Sequence, residues 1–351
     1  MDFLDFALFT MYLACLILGF FLSLILHELG HLIFGRLSGY QFVSFALLNR
    51  LWVKDESGKI KLTKSARVGG ALGQCLMEPG ADENDFRFIL YNAGGALINI
   101  ITGFLLLIPL FFVSNFLVFA AFLGLGVIAL LLGLTNIIPI KNTTVIPNDG
   151  ANIREALKSD EAAHGFYLLL RLNAQMSRGM HLQDFDNDMF AVSAEADLSN
   201  YLIANTVLLQ AAQLEEKAAF EQSYQLLMKL DPAVLPVFYG GEVILSLLFH
   251  ELVHFEDETM QQRAHERFDS LEQDKRFKKI TRMRHPGIMP YHAAIIAFII
   301  DDVPKARELI TQTRRLASSL QNPGQEYSIA VMLDRLELRL PKSDAAQTQE
   351  N

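Results

Sequence analysis

Hydrophobic positions are not spread evenly along this chain. Phe6–Leu26 runs 21 residues without a formal charge, Phe88–Val113 runs 26, and Phe116–Ile140 runs 25. At ~1.5 Å per residue each reaches the roughly 30 Å of a bilayer core. The pattern predicts three transmembrane helices, at about 6–34, 86–113 and 116–140. A cleaved signal peptide does not fit the first run: its flank, Met1-Asp2-Phe3-Leu4-Asp5, is acidic where such a peptide is basic, and no small-residue cleavage site closes it.

Between the first two runs the pattern changes. Tyr40–Val53 is rich in Phe, Val and Leu, Asp55-Glu56-Ser57-Gly58 is a turn signal, and Lys59–Thr63 alternates charged and apolar residues. This predicts a β-hairpin at about 40–64. Gly69, Gly70 and Gly73 then break the chain ahead of Pro79. From Ala151 onward the apolar residues recur at helical spacing. Ala218–Pro232 is similar to the second helix of a tetratricopeptide repeat with its closing Asp-Pro, and Val303–Ile310 opens a similar helix.

Charge follows the same division. Residues 1–150 hold 9 Lys+Arg and 10 Asp+Glu, and residues 151–351 hold 21 and 29, so most of the net charge of −9 belongs to the second part. No polybasic block occurs, which excludes nucleic acid as a partner. Arg36, Arg50, Lys54, Lys59, Lys61, Lys64, Arg67 and Arg87 all lie between the first two runs. The positive-inside rule therefore places the N-terminus outside and both this loop and the C-terminal part in the cytosol of a multi-pass plasma-membrane protein. The two cysteines, Cys15 and Cys75, form no disulfide framework, in keeping with a reducing cytosol.

The expected architecture is mainly α: residues 1–150 as a transmembrane core of three helices with a membrane-associated β-hairpin, 151–340 as a cytosolic all-α, repeat-like domain, and 341–351 as a disordered tail. A helical array of that kind docks a protein partner or covers the membrane domain.

The chemistry concentrates at the end of the first apolar run, in His27-Glu28-Leu29-Gly30-His31. On a helix His27 and His31 share a face and can bind one zinc, while Glu28 reaches a water activated by that metal as general base. Ionisable groups beside lipid are costly and are functional by default. Leu32-Ile33-Phe34 keeps the stretch apolar past the motif. A zinc site of this type needs a third protein ligand, and residues 1–150 hold no further His. Asp55, Glu56, Glu78, Asp82, Glu83, Asp85 and Asp149 are the candidates, and spacing alone does not choose among them.

Leu26–Gly35 resembles the active-site helix of the site-2 protease family of intramembrane zinc metalloproteases. Asn136-Ile137-Ile138-Pro139 followed by Asp149-Gly150 is similar to a second element of that family, and Gly94–Asn99 is a looser match to a third. The resemblance covers residues 24–150. It implies one Zn2+ per chain held by His27, His31 and Asp149, with Glu28 as general base and later proton donor. It also implies that Asn99 and Asn136 bind substrate or polarise its carbonyl; otherwise both cap or crosslink helices. It further implies a membrane-protein or membrane-inserted peptide substrate in the lipid bilayer, cut near the cytosolic face, with the hairpin edge pairing to an unwound segment. The sequence departs from the family in placing Ile140–Asn148 before Asp149, with Asn148 where a Leu is usual.

His250-Glu251-Leu252-Val253-His254 repeats the metalloprotease pattern in the soluble part, with Glu256, Glu258, His265 or Glu266 as third-ligand candidates. An extended three-histidine motif fails, because Met260 stands where the third His belongs. Two alternatives therefore stand beside the intramembrane protease: a membrane-anchored soluble metalloprotease using 250–254, and a non-catalytic membrane scaffold binding partners through its helices.

Overall fold

The computed structural model describes residues 3–48, 50–54, 58–64, 72–140, 146–320 and 322–341. It is mainly helical with one small antiparallel sheet. The chain divides into two compact units, Met1–Ala174 and Gln175–Asn351, so the division falls beyond residue 150.

In the first unit α1 (Phe3–Leu37) is followed by β1 (Gln41–Leu47), β2 (Arg50–Lys54), β3 (Ile60–Lys64) and β4 (Gly73–Glu78). Then come α2 (Phe88–Leu107), α3 (Phe116–Ile137), α4 (Asp149–Ala156) and α5 (Asp160–Met176). α1 continues past the end of the first apolar run because nothing between Phe6 and Leu37 breaks it, and Gly39 at φ +84° marks the turn beyond. α2 stops short of the expected 113, since Pro109 cannot continue an α-helix and the chain tightens into a 3-10 turn, Ile108–Phe111. α3 stops at Ile137, two residues before Pro139.

The helices of this unit pack through glycines. A Cβ on Gly30 would overlap the Gly94 carbonyl, so the backbones of α1 and α2 touch there. One on Gly126 would lie 3.1 Å from the Gly103 carbonyl, which brings α2 and α3 together in the same manner. Small residues permitting such approach are the usual means of helix association in lipid.

The expected first arm, 40–53, is divided into β1 and β2, which pair with each other; β2 and β3 pair as the expected hairpin did, and all three belong to a larger sheet of order β3-β2-β1-β4. β1 and β2 pair through Phe45–Trp52, β2 and β3 through Trp52–Leu62, and β1 and β4 through Phe45–Cys75, all antiparallel. β4 was not expected, because Gly73-Gln74-Cys75-Leu76-Met77-Glu78 carries neither β-branched residues nor strict alternation. The proposed turn Asp55-Glu56-Ser57 and the breakers Gly69 and Gly70 lie outside the described residues, as does the tail from Lys342.

In the second unit α6 (Tyr201–Glu216) and α7 (Phe220–Leu227) form a hairpin, followed by α8 (Val237–Phe249), a π-helical turn (His250–His254) and α9 (Glu258–Gln273). α10 (Met289–Phe298), α11 (Val303–Ala317) and α12 (Pro323–Arg339) complete it. The tetratricopeptide-like stretches appear as α7 and α11, each a member of a helical pair. The core gathers Leu245, Leu248, Phe249 and Leu252 with Ala293, Ala306, Ile310, Ile329 and Leu333.

Among the described residues, four helical segments are long and apolar enough to cross a membrane: Phe9–Leu37, Glu83–Phe111, Phe116–Ile137 and Val237–His254. They differ in what covers them. Only 11%, 28% and 22% of the most apolar window is buried within the protein in the first three, against 72% in the fourth. A helix that the protein itself covers has no need of lipid, whereas Phe9, Ile17, Phe104, Phe116 and Leu131 present apolar surface outward from the first three.

Candidate metal centre

α1 carries His27 and His31 one turn apart on one face, and both are buried. α4 brings Asp149 to them. His27 Nε2 lies 3.2 Å and His31 Nε2 3.4 Å from Asp149 Oδ2, and the two Nε2 atoms are 3.2 Å apart. A tetrahedral ion with ligands at ~2.0–2.1 Å requires donor atoms roughly 3.3–3.4 Å from one another, so this triangle has the dimensions of one face of such a site. Asp149 Oδ2 is buried with no hydrogen-bond donor. The three residues could hold a metal ion.

The histidine tautomer is set from behind. His31 Nδ1 lies 2.9 Å from the Tyr91 carbonyl, which can only accept, so Nδ1 carries the proton and Nε2 presents its lone pair to the triangle. Tyr91 also donates its hydroxyl to the Cys75 carbonyl at 2.7 Å, linking α2 to β4. The Cys75 backbone N–H donates in turn to the Glu28 carboxylate. Both main-chain groups of Cys75 are therefore engaged at the site, and β4 is the strand that faces it.

Space for the imidazoles depends on glycine. A Cβ on Gly95 would stand 2.7 Å from both His27 Cε1 and His31 Nε2, and one on Gly73 would stand 2.6 Å from Glu28 Oε1. Real Cβ atoms do not come so close.

Asp149 is placed by its neighbours. Asn148 caps α4, its Oδ1 accepting from Ala151 N at 3.0 Å, while its Nδ2 donates to the carbonyls of Thr135 and Ile138, both at 2.7 Å. It thus ties the end of α3 to the start of α4. A Cβ on Gly150 would overlap the Ile137 carbonyl, so only glycine lets α4 begin against α3.

The other expected residues fall as follows. Asn99 is fully buried on α2, one turn beyond Gly95, and neither its amide nitrogen nor its oxygen has a partner. Asn136 Nδ2 donates to the Leu132 carbonyl of its own helix at 2.9 Å. Among the remaining third-ligand candidates, Glu83 pairs with His164 Nδ1 at 2.9 Å, Asp82 caps a 3-10 turn through Asn84 N, and Asp55 and Glu56 lie outside the described residues. Sequence reading missed the supporting roles of Asn148, Tyr91, Gly95 and Gly73. Only Asn148 left a trace, as a capping residue at a helix start.

The second motif also finds a third residue: Glu215, from α6, joins His250 and His254 in a group that could hold a metal ion. It is none of the residues expected there. Glu256 instead pairs with Arg339, and Glu266 accepts from Gln262. No protein-family model matches the chain, and neither a curated protein nor a solved structure matches it.

Proposed function

We propose that this chain is an intramembrane zinc endopeptidase of the site-2 protease type, cutting transmembrane segments near the cytosolic face. The observation that carries the reading is the triangle of His27 Nε2, His31 Nε2 and Asp149 Oδ2, with Glu28 one residue along the same buried helix end. Its dimensions and its donor types, two imidazoles and one carboxylate, fit zinc.

Zinc held there would acidify water and polarise a carbonyl. The chain's own residues do the rest. Glu28 takes the proton from the attacking water and returns it to the leaving amine, with the Cys75 N–H holding its carboxylate in place. The Tyr91 carbonyl keeps His31 in the ligating tautomer. The unpartnered amide of Asn99 is available to a substrate carbonyl. β4 lies against the site and supports the extended backbone a scissile peptide needs, since a peptide bond inside a helix is hidden in its own hydrogen bonds. Substrates then carry Gly, Pro or Asn near the cut. The outward apolar surface of the first three apolar helices supports a bilayer setting, and the charge distribution supports an external N-terminus.

The soluble-protease alternative is disfavoured by Glu251. Its carboxylate is fully buried and taken by Arg267 Nη2 at 2.7 Å and the Tyr224 hydroxyl at 3.0 Å, which leaves no free base beside His250 and His254.

The test is co-expression with a single-span reporter whose membrane segment is interrupted by Gly and Pro. Wild type should release a shortened product. Glu28→Gln should lower its rate at least ~100-fold while keeping the zinc of the first unit. His27→Ala/His31→Ala should lose that zinc and the activity together. Equal cleavage by wild type and Glu28→Gln overturns the reading.

A further inference from the structure

The motif at 250–254 belongs to the second unit, and its surroundings suit metal retention without hydrolysis. His250 Nε2 lies 3.2 Å from Glu215 Oε2, and His254 Nε2 lies 2.9 Å from Glu215 Oε1. All three side chains are more than nine-tenths buried. His250 Nδ1 sits 2.9 Å from the Ser246 carbonyl and must carry its proton there, so the neutral ring turns the Nε2 lone pair toward a carboxylate oxygen. Neither His250 Nε2 nor Glu215 Oε2 has a hydrogen-bond partner. Two acceptors facing each other in a buried site repel unless a cation lies between them.

The frame around them is fixed. Arg335 Nη1 donates to Glu215 Oε1 at 2.7 Å, which orients that carboxylate and leaves Oε2 to face His250. Phe220 stacks on the His254 ring, with centroids 3.9 Å apart and planes within 6°. The two histidines sit in a π-helical turn, a local distortion that recurs at functional sites. The group that would make such a site hydrolytic is withdrawn: Glu251 is locked by Arg267 and Tyr224.

We infer that Glu215, His250 and His254 form a second divalent-metal site, of zinc class, which fastens α6 to the end of α8 and does not catalyse hydrolysis. Arg335 is its positioning residue.

Zinc per chain, measured by mass spectrometry on the full-length protein in detergent after loading and desalting, tests this. Wild type should hold two equivalents. His27→Ala/His31→Ala should hold one, and adding Glu215→Gln to that pair should remove it. Glu251→Gln should retain both equivalents. Cobalt loaded into the His27→Ala/His31→Ala protein should give the visible absorption of a low-coordinate His/carboxylate site, and Glu215→Gln should abolish it. Because Glu215→Gln is nearly isosteric, unchanged circular dichroism separates metal loss from unfolding. A His27→Ala/His31→Ala protein that is folded and metal-free overturns the inference, and so does a Glu215→Gln protein that keeps the cobalt spectrum. Zinc confined to the second site would instead defeat the membrane-site reading and leave this one standing.

Discussion

Gly95 lies directly beneath His31: a methyl group built on its Cα would stand 2.7 Å from the imidazole Nε2 and equally close to His27 Cε1. The glycine of one helix thus holds open the space in which the histidines of another converge. Gly95→Ala is expected to weaken zinc binding by the first unit 10- to 100-fold without removing any ligand, the scale seen when groups supporting a metal ligand are disturbed. The measurement is a zinc titration against a competing chelator, in a background lacking His250 and His254. Affinity equal to wild type would mean that the imidazoles do not need this space.

The tether at Asn148 separates into two functions. Its Oδ1 caps α4 and also accepts from Ile140 N at 3.3 Å, whereas its Nδ2 grips the Thr135 and Ile138 carbonyls. Asn148→Asp keeps an acceptor for the cap and loses the grip; Asn148→Ala loses both. If the grip is what positions Asp149, both variants should lose zinc affinity to a similar degree. Asn148→Ala should be the less stable by about 1 kcal/mol, the ordinary value of an N-cap. Thermal unfolding in detergent with and without zinc reads the two effects separately. Zinc affinity retained by Asn148→Asp would assign the positioning of Asp149 to the cap alone.

What the sequence disclosed depends on how local each signal was. The apolar runs, the two His-x-x-x-His spacings and the hairpin-forming stretch are properties of contiguous segments, and each reads directly from residue order. Asp149 and Glu215 are brought in from distant segments, and no periodicity marks either. Only a resemblance singles out Asp149 among the acids of the first 150 residues, and Glu215 lies 35 residues before His250, where the near candidates Glu256, Glu258, His265 and Glu266 draw attention away from it. β4 escaped because its backbone is held by Tyr91, Glu28 and β1 rather than by strand-forming side chains. The fourth apolar helix shows the limit of composition: it matches a membrane span by hydropathy, yet 72% of it is buried within the protein.

The Glu251–Arg267 pair should behave as a buried ion pair. Arg267→Met leaves a fully buried carboxylate without its cation, a loss of about 3–5 kcal/mol. Glu251→Gln/Arg267→Met removes the stranded charge and should recover much of that loss, because Tyr224 can still donate to the amide oxygen. Urea unfolding of the four members of the cycle gives the coupling, expected to exceed ~1 kcal/mol. Additive single effects would show that Glu251 is not held by Arg267, and would reopen it as a candidate base.

Acid should loosen the second unit through His292. Burial pushes this imidazole down from its ordinary 6.5 to about 4, while a hydrogen bond to the Ile280 backbone resists that fall only in part. His285 is lowered for the same reason. The unfolded chain takes up a proton at His292 as the pH falls through 6.5, and the folded chain does not until about pH 4. Stability from keeping the ring neutral is therefore fully present above pH 6.5 and is lost progressively between 6.5 and 4. The size expected for this one group is roughly 2–3 kcal/mol. His292→Gln keeps a donor for the Ile280 backbone but does not titrate, so its unfolding midpoint in urea should fall less steeply over that range than that of wild type. Both proteins are to be compared after chelator treatment, so that metal release in acid does not enter the difference. Parallel curves for the two would show that His292 is protonated alike in the folded and unfolded chains.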